Sequence, residues 1–199
     1  MAPESMRLFI ALELPSPALD ALTSLQKRLQ ANDTSRAVRW SAVQGIHLTL
    51  KFLGEVSANR QEEIITALSA AVDGHRVFEL SIQGAGCFPD YSRPRVIWAG
   101  CGGEIAVLQA LHDAVERAIS PLGFPTDDRA FSPHLTLGRA HDDASRPALA
   151  ALGQSVKAIE AASLAHWQVE GVSLMRSDLK PSGAVYTQVV YRPLAPRET

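Results

Sequence analysis

Alternation and helical periodicity take turns along this chain. Arg7-Leu-Phe-Ile-Ala11 is a short apolar run of strand-forming residues and predicts a β-strand. Ser16-Pro17 then supplies a helix N-cap and an N1 proline, and Leu19, Leu22, Leu25 and Leu29 follow at near-helical spacing. His47-Leu-Thr-Leu50 alternates polar and apolar side chains, the mark of a strand with one buried face. Asn59-Arg-Gln-Glu62 reads as a cap before a helix carrying Ile64, Ile65, Leu68 and Val72, and Phe78-Glu-Leu-Ser-Ile82 reads as a strand.

The same succession then returns. Arg95-Val-Ile-Trp-Ala99 predicts a strand, and Ile105, Leu108, His112, Val115 and Ile119 form one helical stripe. His134-Leu-Thr-Leu137 repeats the earlier alternating segment letter for letter. Ser145-Arg-Pro147 opens a helix with Leu149, Leu152, Val156 and Ile159, and strands are expected over Val169 to Met175 and Gly183 to Tyr191. With five other His, 23 Leu and 8 Thr, a chance copy of the tetrapeptide is expected about 3 times in 1,000. From Arg7 to His47 is 40 residues and from Arg95 to His134 is 39, so a duplicated unit explains the recurrence better than coincidence. The repeat covers approximately 6–90 and 94–192. The fold class expected is α+β: two pseudo-symmetric lobes, each an antiparallel sheet with helices packed outside, facing a central cleft within a single bilobal domain spanning 1–199. The turn-rich Phe88-Pro-Asp-Tyr-Ser-Arg-Pro94 joins the halves and is too short for a flexible linker.

Composition narrows the setting. A chain of 199 residues with 46% hydrophobic and 20% charged residues suits one folded domain and excludes wholesale disorder. The longest purely apolar runs are five residues, Leu8 to Leu12 and Ala148 to Leu152, against the ~20 a membrane helix needs. The N-terminus carries Glu4 and no apolar stretch of signal-peptide length. Cys87 and Cys101 have no metal-ligand spacing, so two buried reduced thiols in a cytoplasmic protein are expected. A net charge of −2 argues against gripping long nucleic acid non-specifically, yet leaves room for a small anion held by a few local cations.

The repeated tetrapeptide carries the candidate chemistry. In a strand, His47 and Thr49 share one face while Leu48 and Leu50 share the other, and the same holds for His134 and Thr136 against Leu135 and Leu137. If the two strands are related by a two-fold, the imidazoles confront each other across a groove with two hydroxyls beside them. Histidine titrates near neutral pH, so one ring can take a proton from a nucleophile while the other protonates a leaving oxygen. Hydroxyls can donate to the non-bridging oxygens of a phosphate. That scheme calls for no metal and no cofactor.

With these residues in view, His47-Leu-Thr-Leu-Lys-Phe-Leu-Gly-Glu55 and Phe131-Ser-Pro-His-Leu-Thr-Leu-Gly-Arg139 resemble the two H-x-T-x motifs of the two-histidine (2H) phosphoesterase superfamily. Within it the chain resembles the bacterial and archaeal RNA 2′,3′-cyclic phosphodiesterases, the 2′-5′ RNA ligase family. The resemblance extends to Met6-Arg-Leu-Phe-Ile-Ala-Leu12, Arg39-Trp40, Pro94-Arg-Val-Ile-Trp98, Pro121-Leu-Gly-Phe124 and Gly183-Ala-Val-Tyr186. It implies metal-independent hydrolysis of a terminal RNA 2′,3′-cyclic phosphate to a 2′-phosphomonoester, acting on RNA 3′ ends or small cyclic nucleotides. His47 is implied as proton donor, His134 as proton acceptor, and Thr49 and Thr136 as phosphate-oxygen donors. Phe52 and Arg139, each five residues beyond its histidine, match nucleotide-contacting positions, Phe52 for a base and Arg139 for a phosphate. Strict alternation places both on the leucine face, so they qualify only where the strand ends or twists. Lys51, on the histidine face by alternation, is a further phosphate candidate. No obligate protein partner or membrane is implied, and a monomer is expected.

Other features carry less. Gly100-Cys-Gly-Gly-Glu-Ile105 echoes a dinucleotide loop, but Ile105 stands where the third glycine belongs, so a tight turn is expected. His112-Asp113 and His141-Asp142 raise a metal phosphohydrolase as the alternative enzyme, without further acidic residues to complete a site. His75 and His166 lie in loop-like sequence. An RNA-end binding module without turnover is disfavoured because both His and both Thr are intact. A ligase running the same proton transfers in reverse competes with water at ~55 M, so hydrolysis should dominate.

Overall fold

A computed structural model of the chain describes residues 5–126, 130–159, 162–180 and 183–197. Among these, nine strands and four helices follow in the order β1 (Ser5–Leu12), α1 (Ser16–Gln30), β2 (Val38–Trp40), β3 (Leu48–Ser57), α2 (Gln61–Val72), β4 (Phe78–Phe88), β5 (Val96–Gly103), α3 (Ile105–Ile119), β6 (His134–Ala140), α4 (Arg146–Lys157), β7 (Ser163–Val169), β8 (Gly171–Lys180) and β9 (Gly183–Pro193). The α+β class expected from the alternating pattern holds, and the strands pair antiparallel.

The strands form one hydrogen-bonded path, β7-β4-β5-β6-β3-β1-β8-β9, with β2 added against β6. Its two halves meet at a single pairing between the motif strands, Leu48 opposite Leu135. About that junction the order is symmetric: β3, β1 and β8 on one side match β6, β5 and β4 on the other. The closing strand of each repeat therefore lies in the half built on the other repeat. The helices cross over too, α2 and α3 covering β3, β8 and β9 while α1 and α4 cover β4 and β7.

One core lies between this sheet and its helices. Leu48, Leu50, Leu135 and Leu137 point into it together with Leu22, Leu25, Leu68, Leu108, Leu111 and Leu152 from the helix stripes. A small second cluster, Phe9, Ala11 and Met175, lies on the opposite face of the sheet. Leaving one face under helices and the other open is what gives a groove its floor.

Some boundaries differ from the sequence pattern. Ser16 is the first helical residue rather than the cap, which is Pro15, and its hydroxyl makes no capping bond. A short 3₁₀ turn, Ala58–Arg60, precedes α2 in place of an Asn59 cap. Ser145 does cap α4, accepting from the Ala148 amide at 3.4 Å. The stretch Val169 to Met175 is not one strand, because β7 ends at Val169 and β8 begins at Gly171. His166 sits within β7 rather than in a loop, bonded to Ser163 and Glu79. No helix among the described residues is long and apolar enough to cross a membrane.

Candidate active site

The motif strands lie side by side and antiparallel about Leu48 and Leu135. That register puts His47 beside Thr136 and Thr49 beside His134. The two histidines are then diagonal neighbours, with backbone roots about 7–8 Å apart in a regular ladder. Since Leu48 and Leu135 enter the core, the histidine and threonine side chains occupy the open face.

Both imidazoles are held alike. His47 Nδ1 lies 2.9 Å from the Gly45 carbonyl, and His134 Nδ1 lies 2.8 Å from the Ser132 carbonyl. A carbonyl only accepts, so Nδ1 carries the proton in each ring and Nε2 is left for proton exchange. Neither Nε2, nor the hydroxyl of Thr49 or Thr136, is tied to another of the described residues. Four polar groups are thus presented free on one face.

Aromatic side chains from adjacent and more distant strands flank both rings. Phe9 stacks on His47 at 4.6 Å, and Tyr186 meets it edge-on at 4.9 Å. Phe88 meets His134 edge-on at 5.0 Å, with Trp98 behind at 6.4 Å. Trp98 lies over Gly86, where a Cβ would come within 2.2 Å of its indole, so glycine is needed for that close approach. Burial pushes the His47 pKa below the ordinary histidine value, opposed by the Gly45 carbonyl and by the charge of Glu13. Glu13 follows β1 and accepts hydrogen bonds from Ser173 and Gln188.

A bulge after each motif settles the faces of the flanking residues. In β3, Ala11 pairs with Thr49 and Ile10 with Lys51, which leaves Leu50 as the extra residue. In β6, Trp98 pairs with Thr136 and Ile97 with Gly138, which leaves Leu137 as the extra residue. An extra residue advances the two-residue alternation by one. Phe52 therefore joins Phe9 on the histidine face, their rings 6.1 Å apart, and remains 65% exposed. Arg139 likewise moves to the histidine face and is exposed. The Leu137 carbonyl released by the bulge accepts from the Ser41 amide at 2.8 Å and from buried Gln26 at 3.0 Å.

Lys51 requires a correction. The same bulge carries it to the core face opposite Ile10, where it is 5% exposed. Its Nζ donates to both oxygens of Glu116 on α3, at 2.8 and 2.7 Å, and to the Pro125 carbonyl at 2.9 Å. Lys51 is a strut between the motif strand and α3, not a groove cation. The structure thus gathers His47, His134, Thr49, Thr136, Phe52 and Arg139 on one face and leaves Lys51 out. Phe9, Glu13, Phe88, Trp98 and Tyr186 are not singled out by the sequence pattern. Alternation from Ala11 back to Phe9 is the available signal, whereas Phe88 and Tyr186 arrive from distant strands.

The alternative metal sites come apart. His112 stacks on Phe131 at 4.0 Å with Nδ1 3.2 Å from Asp113, and Asp142 pairs with Arg95 at 2.7 Å. Among the described residues, no group of three His, Cys, Asp or Glu side chains is placed to hold a metal ion.

The family model for the 2′-5′ RNA ligase superfamily matches residues 14–181, both motifs included. The chain belongs to that superfamily. Among its members, an RNA 2′,3′-cyclic phosphodiesterase of Methanothermobacter thermautotrophicus is 32% identical over 92% of this chain and 96% of its own length. One from Thermus thermophilus is 35% identical over 92% of this chain and 87% of its own. Among solved structures, a Thermus thermophilus protein superposes with a TM-score of 0.79 at 28% identity, covering 97% of this chain and all of that one. Escherichia coli LigT complexed with 3′-AMP gives 0.74 at 25% identity, covering 96% of this chain and 99% of that one. The superfamily fold is therefore shared along nearly the whole chain.

Proposed function

We propose that the protein hydrolyses RNA terminal 2′,3′-cyclic phosphodiesters to 2′-phosphomonoesters by two-histidine acid–base catalysis without a metal. The observation that carries this reading is the matched pair of imidazoles, each with Nδ1 on a backbone carbonyl and Nε2 free beside an unpaired threonine hydroxyl. The relatives named RNA 2′,3′-cyclic phosphodiesterase support the substrate class.

The cyclic phosphate lies between the rings. Neutral His134 takes a proton from water as the water oxygen attacks phosphorus opposite the 3′ oxygen. The P–O3′ bond breaks, and protonated His47 delivers its proton to the departing O3′, leaving the phosphate on O2′. Thr49 and Thr136 donate to the non-bridging oxygens, where charge grows as water adds. Phe52 offers an exposed ring for a base and Arg139 a guanidinium for a phosphate. Run forward with a ribose 5′-hydroxyl in place of water, the same transfers form a 2′-5′ linkage, and run backwards they cleave one.

The burial of His47 favours a second assignment, with neutral His47 as base and His134 as acid. A leaving-group series separates the two. An activated aryl phosphodiester departs without needing a proton, so it restores activity to whichever His→Ala variant lost the acid. The reaction itself is tested with an oligonucleotide ending in a 2′,3′-cyclic phosphate, in excess EDTA, with products resolved as 2′- or 3′-phosphate. Turnover to the 2′-phosphate is expected. Activity abolished by chelator and restored by a divalent ion would return the case to a metal phosphohydrolase.

A further inference from the structure

Outside the histidine pair, the open face carries one cluster without a structural explanation. In β2, Val38 and Trp40 turn toward the core, and the Trp40 indole donates to Asp33 at 3.2 Å. Arg39 between them therefore turns to the face that carries His134 and Thr136. Its partner across the ladder is Arg139, which the Leu137 bulge has brought to that same face. Directly opposed side chains on an antiparallel pair have Cβ atoms about 4.5–5.5 Å apart, and like charges so placed disfavour the sheet. Both arginines are exposed, and neither forms an ion pair or hydrogen bond with another described residue. Their neighbour Arg95 is already satisfied by Asp142 at 2.7 Å. Folding gives no reason to set two bare guanidiniums side by side, in a protein of net charge −2, beside a phosphate-binding groove.

Position defines what they can hold. Arg139 lies five residues beyond His134 but, with Leu137 bulged out, four ladder steps away, Gly100 to Val96 on β5, roughly 13 Å of strand at ~3.3 Å per residue. One phosphate does not reach across that distance, but two successive phosphates of a strand do once the lengths of the arginine and histidine side chains are subtracted. The other end of the groove is aromatic, with Phe52, Phe9 and Tyr186 around His47. We propose that Arg39 and Arg139 together form an anion subsite for the internucleotide phosphate 5′ to the terminal nucleotide, selecting oligonucleotide ends over mononucleotide cyclic phosphates. Guanidinium forks suit the two non-bridging oxygens of a phosphodiester, and a bound anion removes the repulsion between them. This rests on the phosphodiesterase reading and adds to it a preference for chain length two or more.

The test compares adenosine 2′,3′-cyclic phosphate with a diadenylate ending in the same cyclic phosphate. Wild-type protein is expected to favour the dinucleotide at least tenfold in kcat/KM. Arg39→Gln should reduce that preference below threefold through KM, with mononucleotide turnover within twofold of wild type. Arg39→Lys should recover part of the preference. A wild-type protein without preference, or an Arg39→Gln variant equally impaired on both substrates, overturns the subsite. Calorimetry on His134→Ala with the 2′-phosphorylated dinucleotide and with adenosine 2′-phosphate measures the same ratio without turnover. If neither cyclic substrate is hydrolysed, the phosphodiesterase reading fails while the binding ratio still decides the subsite.

Discussion

Each motif imidazole is oriented by a carbonyl two residues upstream and flanked by an aromatic ring, Phe9 of the adjacent strand against His47 and Phe88 of β4 against His134, so both ring positions are built into the fold. Acid and base that act in one displacement form a unit. His47→Ala and His134→Ala should each lower kcat at least a hundredfold, from the 10²–10⁴-fold typical of general acid–base assistance, and the double variant should be little worse. Thr49→Val and Thr136→Val should cost less, since each removes one donor and leaves proton transfer intact. A single His→Ala variant retaining more than about a tenth of wild-type kcat is incompatible with the scheme. Glu13 tests the electrostatics separately. Its carboxylate raises the His47 pKa against the lowering by burial, so Glu13→Gln removes an opposing influence. The His47 ring resonance, followed by NMR against pH, should titrate below the ordinary histidine value and move lower still in Glu13→Gln. Movement to higher pH would contradict the geometry. The four motif side chains, His47, Thr49, His134 and Thr136, are legible in sequence because their letters repeat. Glu13 is not, because only the fold brings the end of β1 beside the first motif.

At the scale of elements, the decisive device is the bulge repeated at Leu50 and Leu137. Periodicity assumes an uninterrupted ladder, so it places Phe52 and Arg139 on the leucine face and Lys51 on the histidine face. The single extra residue ahead of them, Leu50 in β3 and Leu137 in β6, reverses all three. No local residue type announces the bulge. Its signature in hindsight is a pair of adjacent inward positions, Leu50-Lys51 and Leu137-Gly138, and the second is glycine because a Cβ would come within 2.6 Å of Val38. The Lys51–Glu116 pair is buried, and removing one partner strands the other's charge. Lys51→Met should cost about 3–5 kcal/mol of stability, or ~10 °C in Tm for a chain of this size. Lys51→Met combined with Glu116→Leu should recover most of that loss in thermal melts. Folded Lys51→Met should keep near-normal kcat, a result opposite to the one expected for a phosphate ligand.

The whole molecule departs furthest from a reading made along the chain. The repeat is sequential, but its closing strands change sides, β4 joining β5 and β7 while β8 and β9 extend β1. Separate fragments 1–90 and 91–199 should therefore show no cooperative melt by circular dichroism, and mixing them should restore one. A fragment folding alone would contradict this exchange of strands. Pairing partners this distant leave no mark in local pattern, which is why symmetry is legible and the exchange is not. Charge is also a property of the whole. The net value of −2 carries no excess of positive charge, and among the described residues Arg39 and Arg139 are exposed, unpaired cations on the open face beside the second motif. RNA affinity should then rise from mononucleotide to dinucleotide and level off near three nucleotides. Each phosphate neutralised on a single strand contributes ~0.7 to the slope of log K against log salt, so two or three contacts give about −1.4 to −2.1. Fluorescence titration of His134→Ala with oligonucleotides of one to ten residues, each ending in a 2′-phosphate, measures both quantities. A slope that keeps steepening with length would require a cationic track that the sheet does not carry, and would move the recognition of RNA from its end to its length.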